Sequence, residues 1–122
     1  MGDLTKDFSR SEFRCPCGEC KTIVSPALVE RLQRIRDAML MPIRITSGYR
    51  CPTYNDKIGG EKHSAHTTGE GVDVMIPSHH YRYLFLEEAL RWFLRIGIYD
   101  RHIHVDVSGE LPRPRCWIGW SK

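Results

Sequence analysis

Three side chains that can bind metal or transfer protons alternate along one short segment late in the chain. The sequence Arg101-His-Ile-His-Val-Asp-Val reads as a strand over about residues 102–107. Because alternate residues of a strand point to the same face, His102, His104 and Asp106 share one side, and the β-branched residues between them share the other. Metal binding or catalysis would explain this row, and so would a harmless polar surface.

A second segment, Ser64-Ala-His-Thr-Thr-Gly-Glu-Gly-Val-Asp, carries an imidazole and a carboxylate seven residues apart. His66 lies in a glycine-rich turn, and Asp73 belongs to a predicted strand at about 72–76 whose valines face the core. The two glycines permit a tight fold-back of the backbone, so the two side chains can converge. The alternative is a surface His66 and an Asp73 that accepts hydrogen bonds from turn amides.

Together the two segments supply the donors of a catalytic zinc site. His66, Asp73 and one imidazole of the last strand give three protein ligands and leave one tetrahedral position for water. A bound zinc ion lowers the pKa of its water towards neutrality. The pattern is therefore typical of a catalytic rather than a structural zinc site.

Two helices must support these segments. Ser25 is an N-cap candidate followed by Pro26, and apolar residues at three- and four-residue spacing predict a helix that ends before Pro42. A second helix is predicted over Ser78–Ile96, with Gly97 as its stop. Its inward-facing residues are expected to be Leu86, Leu90, Phe93 and Leu94.

The strands and helices do not alternate strictly along the sequence. A further strand is predicted at 42–46, before the Ser47-Gly48 turn, and residues 1–24 are expected to form a docked N-terminal arm with a cysteine cluster. Trp117 and Trp120 are expected to cover the edge of the core. The prediction is an α+β fold, a single domain over 1–122 with a small antiparallel sheet flanked by helices.

Composition excludes several classes of protein. A chain of 122 residues, 41% hydrophobic and 27% charged, fits one compact domain, and we expect a monomer. No apolar run approaches the ~20 residues of a membrane span, and no classical signal peptide is visible, so we expect synthesis in the cytoplasm with unknown export or lysis-dependent release. The net charge of +3 favours anionic partners only mildly. Nucleic-acid binding is not expected, because Arg82, Arg91 and Arg95 are spread around a predicted helix without an aromatic platform.

Several motifs in order resemble those of the zinc peptidases that act on peptidoglycan stem peptides. This family includes D-alanyl-D-alanine carboxypeptidases and phage endolysins. Its Ser-x-His-x-x-Gly-x-x-x-Asp pattern and its late His-x-Asp pattern match Ser64, His66, Gly69, Asp73, His104 and Asp106. The resemblance also includes Ser47-Gly-Tyr-Arg-Cys-Pro-x-Tyr-Asn and Phe8-Ser-Arg-Ser-Glu-Phe, and it extends from about residue 8 to Trp117.

The resemblance implies a ligand set, a fold and a substrate. It implies that His66, Asp73 and His104 bind a catalytic zinc, and that the fold is the one shared with the signalling domain of hedgehog proteins. The implied reaction is hydrolysis of an amide bond in a peptidoglycan stem peptide at the cell wall. The bond is either a terminal D-Ala-D-Ala bond or an internal bond of the L-Ala-D-Glu type.

A proton must also reach the leaving amine. His102 is the first candidate for this acid/base role, because it shares a strand face with His104 and its ordinary pKa suits neutral pH. Endopeptidase-like members of the family carry Glu three residues before the last His, where this chain has Arg101, whereas His102–His104 resembles the His-x-His of carboxypeptidase members. Asp100 and Glu61 remain alternatives.

Three further residues are expected to support the reaction. By resemblance, Arg50 holds an anionic group of the substrate or stabilises the developing oxyanion; the alternative is a structural ion pair. Ser64 is expected to hydrogen-bond the site or the substrate. We expect Asp106 to fix a histidine tautomer rather than to bind the metal, because a carboxylate as fourth ligand would close the open position.

Five cysteines cannot all pair within one chain. Cys15, Cys17 and Cys20 lie close together, and with Cys51 they could form a closed structural zinc site that ties the arm to the Ser-Gly-Tyr-Arg loop. A disulfide and free buried thiols remain alternatives, and Cys116 is expected to be unpaired. For the whole chain, a zinc-stabilised binding module without turnover is the second hypothesis, because Arg101 replaces the family glutamate.

Overall fold

The computed structural model describes residues 2–119. The helices are α1 (Pro26–Met39), α2 (Pro52–Lys57) and α3 (His79–Trp92), with short 3-10 helices at Arg10–Phe13 and Ala65–Thr68. The strands are β1 (Ile45–Ser47), β2 (Gly71–Met75), β3 (Arg95–Ile98), β4 (His102–Asp106) and β5 (Arg115–Ile118).

The five strands form one sheet in the order β1-β2-β4-β3-β5. β2 pairs antiparallel with both β1 and β4, and β4 pairs antiparallel with β3. At the far edge, β5 runs parallel to β3. The predicted α+β fold is confirmed, and the sheet is antiparallel as predicted except for β5.

The register of the two central strands separates an apolar face from a polar face. Asp73 lies opposite His104, and Val72 lies opposite Val105. Because directly opposite residues of an antiparallel pair point to the same side, the first pair shares one face and the second pair shares the other. The sheet therefore carries its ionisable residues on the face away from the core.

The core lies between the apolar face of the sheet and helices α1 and α3. Ser25 caps α1 as predicted, with its side chain accepting from the amide of Leu28, and Pro26 occupies the first turn. The buried residues of these elements include Leu28, Leu32, Ile35, Tyr81, Phe85, Ala89, Val72, Val74, Ile103 and Val105. This layer fixes the strands that carry the ionisable residues.

The predicted second helix is too long. The helix begins near Ser78 as expected, with Ser78 as its N-cap, but α3 ends at Trp92 and residues 95–98 form β3. Phe93 is buried and extended, whereas Leu90 and Leu94 are 66% and 56% exposed rather than inward-facing. Pairing with β4 on one side and β5 on the other stabilises an extended segment that periodicity alone reads as helix.

Gly97 is a strand residue and not a helix stop. A Cβ at Gly97 would lie 2.6 Å from the indole of Trp117, so the glycine lets β5 and its tryptophan pack closely. Strand β1 starts later than predicted, at Ile45, while β2 and β4 agree with their predicted positions within one residue at each end. Trp120 lies outside the described residues.

The N-terminal arm is docked on the domain. Phe8 and Phe13 are both 1% exposed and belong to the core. The amide of Tyr49 donates to the carbonyl of Phe13 at 2.8 Å, so the arm also contacts the loop after β1. No helix among residues 2–119 combines the length and apolarity needed to cross a membrane.

Candidate metal centre

Two imidazoles and a carboxylate meet on the polar face of the sheet. His66 Nε2 lies 3.3 Å from Asp73 Oδ1, and His104 Nδ1 lies 3.1 Å from the same oxygen. All three residues are buried, with exposures between 4% and 9%. They come from the Ala65–Thr68 helix, β2 and β4, so the topology brings together the residues that the motifs single out.

The short helix that carries His66 has defined ends. Ser64 precedes it, and its hydroxyl accepts from the amide of His66 at 3.2 Å. Gly69 ends it with φ of +74°, a conformation that L side chains rarely adopt. A Cβ at Gly69 would also lie 2.4 Å from the carbonyl oxygen of Ile23. Ser64 therefore contacts the site through the backbone of His66.

Acceptors behind the two histidines orient their rings. His66 Nδ1 lies 2.8 Å from the carbonyl oxygen of Gly48, which can only accept, so Nδ1 donates and Nε2 is the nitrogen that faces Asp73. His104 Nε2 lies 2.7 Å from Asp106 Oδ2, which leaves Nδ1 towards Asp73. Hydrogen bonds of this kind fix the tautomer of metal-binding histidines.

Asp106 is itself held by further donors. Its side chain is fully buried and accepts from Arg95 Nε at 2.9 Å and from the Ser108 amide at 3.1 Å. Arg95 is not predicted as a site residue, because the spacing of apolar residues places it in a helix. The signal that could have found it is Asp106, since a buried carboxylate needs a cationic or hydrogen-bonding partner.

The charges in the cluster shift one another's ionisation. Burial alone would raise the pKa of Asp73, but hydrogen bonds from His104 and His66 outweigh it and hold the pKa well below the usual range. Burial lowers the pKa of His104, but its bonds to Asp106 and Asp73 outweigh burial and raise it. The two carboxylates therefore favour the protonated form of His104, and metal binding requires the nitrogen that faces Asp73 to be free of its proton.

The donor set fits zinc in chemistry and in spacing. Zn²⁺ binds imidazole nitrogen and carboxylate oxygen at about 2.0–2.1 Å, which places neighbouring ligand atoms of a tetrahedron about 3.4 Å apart. The observed separations of 3.3 Å and 3.1 Å are close to that edge. One nitrogen or oxygen from each of His66, Asp73 and His104 lies within 4.8 Å of the others.

The cluster opens into a cavity of about 780 Å³. Two aromatic residues that were not predicted for the site, Tyr99 and Trp117, line it together with His102. The Tyr99 ring stacks on His102 with centroids 4.3 Å apart, and its hydroxyl accepts from Trp117 Nε1 at 3.2 Å. An aromatic pair therefore holds the imidazole of His102 in one orientation. No motif marks these two aromatic residues, since β5 and the turn before β4 decide their position.

His102 lies at the border between the cluster and the cavity. Its Nε2 is 3.8 Å from Asp73 Oδ2, and its side chain is 25% exposed. Burial lowers its pKa, and the nearby Asp73 carboxylate only partly opposes this effect. The ring is therefore neutral at neutral pH and can accept a proton.

Arg50 also reaches the centre. Its Nη2 is 3.5 Å from Asp73 Oδ2, and its Nε donates to Ser47 Oγ at 3.1 Å. Of the two other acid/base candidates, the exposed Glu61 lines the cavity, whereas Asp100 is not among its described lining residues. The carbonyl of Asp100, in the turn between β3 and β4, accepts a hydrogen bond from the guanidinium of Arg82 on α3.

A second group of metal-binding side chains lies apart from this centre. The four cysteines 15, 17, 20 and 51 have sulfur atoms within 4.8 Å of one another. Cys116 is exposed on β5 and is not one of them.

Comparison with known proteins identifies the family. No curated protein matches the chain. The sequence profile described as peptidase M15 matches residues 6–106, which include all the motifs of the metal centre. The match confirms the resemblance to the zinc peptidases, and its limits enclose His66, Asp73 and His104. The chain belongs to the peptidase M15 family.

Proposed function

We propose that this protein hydrolyses an amide bond in the stem peptide of peptidoglycan, with a zinc ion held by His66, Asp73 and His104. The observation that carries the proposal is the set of three buried donors within 4.8 Å of one another, with both histidines 3.1–3.3 Å from Asp73 Oδ1 and a cavity on one side. Membership of the peptidase M15 family supports zinc peptidase chemistry on peptidoglycan in general. When bound, zinc polarises the scissile carbonyl and lowers the pKa of water at the open position.

His102 is the proposed acid/base residue. Burial keeps its imidazole neutral, so it can take a proton from the attacking water and give it to the leaving amine. Stacking on Tyr99 holds the ring at the border of the cavity, 3.8 Å from Asp73. Glu61, which is exposed on the cavity wall, is the alternative proposed here.

Arg50 is the proposed anchor for a negative group of the substrate. Stem peptides carry free carboxylates, and the planar guanidinium matches a carboxylate with two parallel donors. In the present arrangement Arg50 pairs with Asp73 at 3.5 Å, which is long for a strong ion pair. We propose that Arg50 exchanges part of this contact for a substrate carboxylate or for the developing oxyanion.

The position of His102 two residues before His104 favours removal of a terminal D-alanine over cleavage of an internal bond. An endolysin role is a related proposal, in which a monomer synthesised in the cytoplasm reaches the cell wall after lysis or export. Both roles use the same metal centre and differ in the bond that is cut.

Mass spectrometry of purified muropeptides tests the proposal. After incubation with the zinc-loaded protein, we expect a mass decrease of one alanine from pentapeptide stems; separated peptide and sugar-peptide fragments would instead indicate an internal cut. No cleavage by the zinc-loaded wild type would contradict the proposal and favour a binding module without turnover.

Variants test the assigned roles. His102→Ala should lower turnover by about 10²–10⁴-fold with unchanged zinc content, because it removes proton transfer and leaves the ligands intact. His80→Ala is the matched control, since His80 is exposed on α3 and does not line the cavity. Unchanged turnover in His102→Ala would move the acid/base role to another residue, with Glu61→Gln as the next variant.

A further inference from the structure

The arm and the loop after β1 bring four sulfur atoms together away from the peptidase centre. We propose that Cys15, Cys17, Cys20 and Cys51 bind a second zinc ion in a closed tetrahedral site, and that this ion fixes the backbone that orients His66 and Arg50. This site has no open position for substrate, so its role is structural. It goes beyond the proposed hydrolysis and does not depend on it.

The spacing of the sulfur atoms is that of a mononuclear metal site. Cys15 Sγ lies 3.8 Å from Cys51 Sγ, Cys51 Sγ lies 3.9 Å from Cys17 Sγ, and Cys17 Sγ lies 3.4 Å from Cys20 Sγ. Zinc–sulfur bonds of about 2.3 Å place the corners of a tetrahedron about 3.8 Å apart. A disulfide would require a separation of about 2.05 Å.

The spacing also argues against a cluster of several irons. All four sulfur atoms lie within 4.8 Å of one another. An iron–sulfur cluster contains bridging sulfides between its metals, so its cysteine sulfurs are spread farther apart than around a single ion. Among single ions, a set of four thiolates favours zinc, which needs no redox chemistry to remain bound.

The local backbone is shaped to hold thiolates. Gly18 adopts φ of +74°, which turns the chain so that Cys17 and Cys20 face each other. The Glu19 amide donates to Cys17 Sγ at 3.5 Å, and the Cys51 amide donates to Cys15 Sγ at 3.4 Å. Amide donors behind the sulfur atoms stabilise negative charge on them, as do the outer hydrogen bonds of other metal sites.

Hydrogen bonds connect the segment before Cys51 to His66, and so link the two proposed metal sites. Cys51 follows Arg50, whose amide donates to the carbonyl of His66 at 3.0 Å. Two residues earlier, the carbonyl of Gly48 accepts from His66 Nδ1 at 2.8 Å. Fixing Cys51 to the arm therefore fixes both backbone groups that hold His66.

The arm needs such a fixed point. Residues 14–24 contain no helix or strand, so few backbone hydrogen bonds compensate the loss of conformational entropy on ordering them. Three of the four cysteines lie in this stretch, and the fourth lies at the start of α2. A metal ion would cross-link the two segments, which are 31 residues apart from Cys20 to Cys51.

Metal analysis of purified full-length protein tests the site. We expect two zinc ions per chain in the wild type and one in Cys17→Ser and in His66→Ala. Cys116→Ser is the matched control and should retain two, because Cys116 is exposed on β5. If the cysteine site binds no zinc, Cys17→Ser should hold as many zinc ions as the wild type. If the peptidase centre binds no zinc, His66→Ala should do so instead. Failure of this proposal is therefore distinguishable from failure of the proposed function.

Cobalt substitution of the wild type tests the thiolate ligands directly, and one cysteine variant then tests a single ligand. Co²⁺-loaded wild type should show an intense sulfur-to-cobalt charge-transfer band in the near ultraviolet, and His66→Ala should retain it. Cys20→His should keep the metal with a weaker band, because imidazole replaces one thiolate. Absence of the band in the wild type, a Cys17–Cys20 disulfide in the purified protein, or iron in place of zinc would each overturn the proposal.

Discussion

Replacing Gly71 by alanine should weaken zinc binding at the peptidase centre without touching a ligand. Gly71 lies in β2 opposite Asp106, on the polar face of the sheet. A Cβ there would lie 2.9 Å from the Cβ of Ala65, 3.0 Å from His104 Cε1 and 3.2 Å from the Cβ of Asp106. Ordinary carbon–carbon contacts are about 3.5–4.0 Å, so each neighbour must move by about 0.5 Å.

Such a displacement is large for a metal site. Ligand distances in zinc sites vary by only about 0.2 Å, and changes behind the ligands commonly cost about 10–100-fold in affinity. We therefore expect Gly71→Ala to raise the zinc dissociation constant by about 10–100-fold, equivalent to about 1.4–2.7 kcal/mol. Overpacking should also lower the free energy of unfolding of the metal-free protein by about 1–3 kcal/mol.

Competition with a chromophoric chelator measures the affinity, and urea unfolding of chelator-treated protein measures the stability. Gly109→Ala is the control, because the nearest atom to its added Cβ is Arg113 Nη1 at 3.9 Å. A folded Gly71→Ala protein that binds zinc as tightly as the wild type would refute the geometry described for His104.

Three other perturbations have defined outcomes. Tyr81→Phe should lower the free energy of unfolding by about 1–2 kcal/mol at neutral pH, because it removes the hydrogen bond from the buried hydroxyl to the Pro42 carbonyl at 2.7 Å. Burial raises the pKa of Tyr81 to about 12, whereas the unfolded residue loses its proton near pH 10. The free energy of unfolding of the wild type should therefore decrease as the pH rises from about 10 to about 12. Urea unfolding should show that the stability difference between wild type and Tyr81→Phe becomes smaller over this pH range. Leu40→Gly should raise the free energy of unfolding by about 0.5–1 kcal/mol, because Leu40 ends α1 at φ of 59° and is 82% exposed; Leu40→Ala, which keeps the strained backbone, should not. Removal of zinc by a chelator should lower the melting temperature in calorimetry, and added zinc should restore it, since an ion at about a thousand times its dissociation constant stabilises by about 4 kcal/mol.

The sequence predicts those elements whose signals are local. The start of α1 at Pro26 depends on a cap and a proline, and the polar face of β4 depends on alternation within five residues. The end of α3 could not be predicted in this way, because Phe93 and Leu94 continue the helical spacing of apolar residues. Only the pairing of residues 95–98 with two other strands shows that they are extended.

The same division holds in the candidate site. His66, Asp73 and His104 come together as the motifs indicate. They could be predicted because their residue types and their spacing in the sequence are those of a zinc site. Arg95, which holds Asp106, and the aromatic pair beside His102 escaped prediction. Their positions depend on contacts of β3 with β4 and β5. These contacts join residues that are distant in sequence, and β3 itself lies where the apolar spacing predicts a helix.

The segment that follows the family match, up to the parallel edge strand β5, can vary in ways that change peptide selectivity without changing the residues of the metal centre. The proposed metal-binding residues lie within the family match, which ends at residue 106, while Leu111 and Trp117, which also line the cavity, come after it. Loops and edge strands tolerate substitution better than paired central strands. Exchanging residues 109–116 between related peptidases, which leaves Ser108 and Trp117 in place, should therefore alter which peptides are accepted while retaining the proposed zinc ion and acid/base residue.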